Sequence, residues 1–257
     1  MRHLLACLLA LAGLLIATPV QAFAVFPDRG SLQPDQKLLL RLRADESAMA
    51  ASRDHNSIGF RLAARDEQAI VYRMAADADL EATIMPQLPA PLAAAFSESI
   101  QGLRALYRLA QVDYSQIRPR FNRRLATPAG LQDLLTYYQG AGGAYGMDWT
   151  YLASINFIES DFGRVMGPSS AGALGPMQFM PSTWDDYGDG GDVMSPRDSI
   201  YAAARYLVHY GAPDDMARAV WHYNHDSDYV AAVAYFASVI RRDQAWLHRI
   251  YIWSTAE

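Results

Sequence analysis

Beyond Pro91, apolar residues recur at spacings of three and four. Leu92, Phe96, Leu103, Leu106 and Leu109 fall on one face, which predicts a helix from Leu92 to Val112. Leu131, Leu134, Leu135 and Tyr138 predict a second, with Thr127 as its cap, Pro128 in its first turn and Gly140, Gly142 and Gly143 ending it. Asp148 is placed to cap a third, from Trp149 to about Ser160. Ser195-Pro196-Arg197-Asp198 is a strong helix start, leading through Ile200, Ala203, Ala204, Leu207 and Val208 to Gly211, with Pro213 beyond. Asp214–Asn224 and Asp228–Arg242 continue the helical pattern.

The composition shifts near the proline-rich stretch Met85–Pro91. Before it, apolar and polar residues tend to alternate in Lys37–Arg43, Ile58–Ala63 and Ala69–Met74, which predicts two or three short strands. Leu38-Leu39-Leu40 and the alanine-rich joins suit helices equally well. The expected chain is mainly α (α+β), with an accessory region over residues 23–85 and a helical domain over 86–257.

Residues 1–22 carry a different pattern. Met1-Arg2-His3, the apolar run Leu4–Ala17, Pro19 and the small-residue site Val20-Gln21-Ala22 read as a secretory signal cleaved after Ala22. An uncleaved anchor extended through Phe23–Phe26 is the alternative. Export to the periplasm or cell wall is therefore expected. Cys7, the only cysteine, would leave with the signal, so the core of about 235 residues has to stand without disulfides. A formal net charge of −5 argues against a nucleic-acid partner.

The candidate chemistry lies between Trp149 and Asn224. Glu159 sits in Phe157-Ile158-Glu159-Ser160-Asp161-Phe162, an acid among bulky apolar residues in the last turn of its helix. Desolvation and the negative helix end both favour its protonated form, as general acid catalysis requires. The plainer reading is a surface acid at a fraying helix end. Pro168–Gly175 has little bulk before Leu174, so its backbone can lie against a polymer. Gln178 brings an amide among Met177, Phe179, Met180 and Trp184, a mixture suited to sugars, although most of these apolar residues could simply face the core.

Glu159-Ser160-x-Phe-Gly, then Ala171-Gly-Ala-Leu-Gly-Pro-Met-Gln-Phe-Met-Pro-Ser-Thr-Trp184, then Tyr223-Asn224, resembles the lytic transglycosylases of lysozyme-like fold, above all the membrane-bound B type. Ser195–Leu207 is similar to that type's helix after the active-site loop, and the likeness spans about Trp149 to Ile240. The resemblance implies that Glu159 is the single catalytic acid and base. It implies substrate contacts from Met177, Gln178 and the loop hydroxyl of Ser170, and an orienting role for Tyr223 with Asn224 beside it. The implied substrate and partner is the peptidoglycan glycan strand, cut to leave 1,6-anhydromuramic acid ends, with peripheral wall or membrane association possible.

Ordinary glycosidases use two carboxylates. Asp161 would point about 200° away from Glu159 if the helix continued, and none of Asp185, Asp186, Asp189 and Asp192 is a compelling partner. A water-using muramidase outcome stays open, as does a binding module without catalysis. Asp185–Asp192 fails the calcium-loop pattern, with Tyr187 and Pro196 where ligands belong. His222 and His225 lack a third ligand at zinc spacing and suit stacking or capping near the cleft. No metal or cofactor is expected. Trp246, Tyr251 and Trp253 either pack on the domain or help bind wall.

Overall fold

In a computed structural model, residues 34–111 and 126–254 are described, and the predicted signal at residues 1–22 lies outside them. The helices in chain order are α1 Pro34–Ala51, α2 Ile58–Ala76, α3 Ala78–Ile84, α4 Ala90–Ala110, α5 Leu131–Tyr145 and α6 Trp149–Ser160. They continue as α7 Pro181–Tyr187, α8 Pro196–His209, α9 Met216–Tyr223, α10 Ser227–Arg242 and α11 Ala245–Ser254. The only β feature among the described residues is an isolated antiparallel bridge, Leu174 to Phe179. No described helix is long and apolar enough to cross a membrane.

The short strands expected before Pro91 are helices instead. Alternation over six or seven residues is compatible with either period. Here long-range packing decides: Leu38, Leu39 and Leu42 of α1 and Ile70, Val71 and Met74 of α2 are buried at helical spacing in the same apolar cluster as α4, α6 and α10. These residues thus share one core with the later helices, while Met49, Phe60, Ala63 and Ala64 pack with Ile252 in a second, smaller cluster.

Both expected ends of α5 are also corrected. Gly140, Gly142 and Gly143 do not end α5, which runs to Tyr145 and closes on Gly146 in the left-handed region. A Cβ at Gly140 would stand 2.5 Å from the Tyr201 hydroxyl, and one at Gly142 2.8 Å from the Trp149 side chain. These glycines let α8 and the start of α6 approach closely. Nor do Thr127 and Pro128 open α5, because residues 126–130 are not helical and Gly130 is the cap.

The remaining starts match the sequence chemistry. Asp148, Ser195, Asp215 and Asp226 each accept a backbone N–H in the first turn of α6, α8, α9 and α10. At the centre α10 packs along α4 and α6. Phe236 fills the space above Gly102, where a Cβ would come within 2.8 Å, and meets Phe157 edge to face at 5.0 Å. Trp246 and Trp253 are buried, and the Tyr251 hydroxyl donates to the Ala129 carbonyl at 2.8 Å. That aromatic tail therefore packs on the domain.

Candidate active site

Helix α6 is buried from Leu152 to Ser160, so its C-terminal end lies inside the molecule. Glu159, in its last turn, is 6% exposed. Burial raises its pKa from 4.5 to about 7, against a hydrogen bond that favours the charged form: the Tyr229 hydroxyl, from the first turn of α10, donates to Oε1 at 2.7 Å. Glu159 is thus a carboxyl group poised between its charge states near neutrality, held by one oriented donor.

After Ser160 the chain leaves the helix through two residues with positive φ, Asp161 and Phe162, and then Gly163. Asp161 is itself buried, and burial raises its pKa to about 7, with the Arg164 charge opposing. Among the described residues, burial and Tyr229 are what shift Glu159.

A buried polar network ties the next loop to this helix end. The Tyr138 hydroxyl of α5 donates to Asn156 Oδ1 at 2.5 Å, and Asn156 Nδ2 donates to the Pro176 carbonyl at 2.7 Å. Ser160 Oγ donates to the same carbonyl at 2.5 Å and accepts from the Gly163 N–H at 2.8 Å. Paired main-chain bonds between Leu174 and Phe179 close the loop, and Gly175 and Gln178 both turn with positive φ. A Cβ at Gly175 would run into the Val193 carbonyl, so glycine is required there on two counts.

Met177 is fully buried and Gln178 nearly so. Met177 is thus a core residue, because the tight turn points its side chain inward, and its carbonyl is taken by the Tyr223 hydroxyl at 2.7 Å. Gln178 Nε2 donates to the Gly175 carbonyl at 2.9 Å, which steadies the turn. Ser170 is exposed at the loop tip, while its neighbour Ser169 accepts from the Ala171 and Ala173 N–H groups. Tyr223 packs on Phe179 with ring centroids 5.9 Å apart, and both burial and the Glu159 charge raise its pKa. Tyr223 therefore stands beside Glu159 without bonding it. Asn224 ends α9 and is half-buried.

Sequence reasoning missed Tyr229, Asn156 and Tyr138. Tyr229 left one usable signal, an aromatic hydroxyl in the first turn of a helix otherwise lined by Ala232, Val233 and Phe236. Its pairing with Glu159 spans 70 residues and is visible only in the fold. Among the described residues no group of three or more His, Cys, Asp or Glu side chains could hold a metal ion.

Residues 136–238 match the family described as transglycosylase SLT domain. The chain is 38% identical over 81 residues to the membrane-bound lytic murein transglycosylase F of Thiobacillus denitrificans. That match takes in 32% of this chain but only 17% of the relative's length. No solved structure matches the chain significantly. These matches place an SLT domain in residues 136–238; the relative bears the F name, whereas the motifs of this chain resemble the B type.

Proposed function

We propose that this protein is a lytic transglycosylase of peptidoglycan, cleaving the β-1,4 bond between N-acetylmuramic acid and N-acetylglucosamine with Glu159 as its only catalytic carboxyl group. The observation that carries the reading is Glu159 itself: buried, half-protonated near neutral pH and gripped by Tyr229. In its protonated form Glu159 donates to the oxygen that leaves the muramoyl C1. The C1–O4 bond breaks, and the muramoyl acetamide carbonyl supports the electron-poor carbon. Glu159, now a carboxylate, takes the proton of that sugar's C6 hydroxyl as O6 bonds to C1. The 1,6-anhydro ring closes and the original proton count on Glu159 is restored. A pKa near the working pH suits a group that must act in both directions.

A route in which a second carboxylate activates water is the alternative, and the products distinguish the two. Gln178, Ser170, Tyr223 and Asn224 line the approach in this reading, with Met177 supporting it from behind. Export and wall association follow from residues 1–22 and the substrate. Digestion of purified peptidoglycan followed by mass spectrometry tests it: anhydro ends are expected, lighter than hydrolysed ends by one water. Reducing ends alone would make the protein a muramidase. An undigested wall that still binds protein would make it a binding module.

A further inference from the structure

We infer that Tyr206 is a positioning residue, whose hydroxyl and ring hold the end of α9 so that Tyr223 keeps its bond to the Met177 carbonyl beside Glu159. The inference rests on the catalytic role proposed for Glu159. Helix α9 has eight residues, too few to be stable in isolation, so its neighbours fix its end. The carbonyls of a last helical turn lack partners within the helix. Here the Tyr206 hydroxyl, from α8, donates to one of them, the His222 carbonyl, at 2.7 Å. That carbonyl belongs to the planar peptide group leading into Tyr223, so the bond sets the direction in which Tyr223 leaves the backbone.

The ring makes a second contact. Tyr206 meets the Tyr223 ring nearly perpendicularly, with centroids 5.4 Å apart and planes at 80°. Phe179 meets Tyr223 as well, at 5.9 Å and 61°. Tyr223 therefore lies against one ring from α8 and one from the loop that carries Gln178. Its hydroxyl donates to the Met177 carbonyl at 2.7 Å, and the Glu159 charge acts on its phenol. Tyr206 is itself braced. It is half-buried against Tyr187 of α7 at 5.0 Å and Tyr210 at 4.7 Å. On the same helix Arg205 donates to the Tyr187 carbonyl at 2.8 Å, and Ser199 Oγ to the Val193 carbonyl at 2.6 Å. Removing the Tyr206 hydroxyl alone leaves this ring packing in place and deprives only the His222 carbonyl of its donor.

Steady-state cleavage of soluble peptidoglycan fragments by Tyr206→Phe tests the inference. Its kcat should fall about three- to tenfold, the size of one neutral hydrogen bond, with KM unchanged. In a Tyr223→Phe background the same change should cost little more, because the hydroxyl that Tyr206 positions is gone. Tyr187→Phe removes another phenol packed on Tyr206 and should leave kcat unaltered. Unaltered kcat in Tyr206→Phe overturns the inference. So do additive losses in the double variant, or an equal loss from Tyr187→Phe. Hydrogen exchange on the same proteins separates positioning from a general structural role. It should quicken at residues 222–226 in Tyr206→Phe, and quickening throughout α8 overturns the inference. If the unaltered protein leaves wall uncut, the role of Glu159 falls, and hydrogen exchange still decides whether Tyr206 holds the end of α9.

Discussion

Tyr229 and burial pull on Glu159 in opposite directions, and burial wins. Glu159→Gln keeps the shape and removes the proton, so turnover should fall by at least about 10³-fold while thermal unfolding at neutral pH stays unchanged or shifts upward. The upward sense follows from linkage. A carboxyl group whose folded pKa is raised from 4.5 to about 7 contributes stability below 4.5 that is lost as pH rises towards 7. Tyr229→Phe removes a donor that favours the charged form. The Glu159 pKa should rise further, and the alkaline fall of kcat/KM should move to higher pH. A profile that stays in place would show that Tyr229 does not tune this group. The desolvation of Glu159 is foreshadowed by its apolar neighbours and helix-end position, whereas those features alone left a surface acid equally open. Tyr229 is not foreshadowed, because nothing local tells an aromatic hydroxyl whether it faces a carboxylate or solvent.

At the scale of elements, the site depends on how α6 grips the loop 174–179. Asn156 sits between Tyr138 and the Pro176 carbonyl, with all three buried. Asn156→Ala leaves the buried Tyr138 hydroxyl without its acceptor and the Pro176 carbonyl held by Ser160 alone, costing about 1–3 kcal/mol. A lowered denaturation midpoint should accompany a drop in kcat larger than any change in KM, since the loop carrying Gln178 loses its register against Glu159. The starts of α6 and α8 are readable because the capping side chains of Asp148 and Ser195 act within three residues of themselves. The end of α5 is not, because Gly140 and Gly142 answer to Tyr201 and Trp149 on other elements.

Across the whole molecule, α1 and α2 are joined to α11 by charge as well as packing. Arg249 lies over the Trp246 ring and binds Glu46 at 2.7 Å and the fully buried Glu67 at 2.5 Å. Arg249→Met would strand Glu67 in the interior and should cost about 3–5 kcal/mol, seen as a lower unfolding midpoint. Nearby, burial and Asp66 raise the Asp45 pKa from 3.8 to about 8. Its stabilising contribution is complete below 3.8 and lost as pH rises through 8, so Asp45→Asn should unfold at a higher temperature than the unaltered protein at pH 9 and at a similar one at pH 3. A smaller advantage at pH 9 than at neutral pH would contradict that linkage.

What the sequence alone determined is local or motif-borne. It includes the helical periodicity after Pro91, the helix caps Asp148 and Ser195, the bulk-poor loop before Gln178 and an acid in apolar company. These are encoded within a few residues, where hydrogen-bonding geometry and amphipathic spacing leave little choice. Tertiary structure decided the rest: helix over strand in residues 34–76, the burial of Met177, glycines used for close approach, and Tyr229 as the partner of Glu159. Each of these depends on groups far apart in the chain, whose desolvation and contact exist only once the helices have packed.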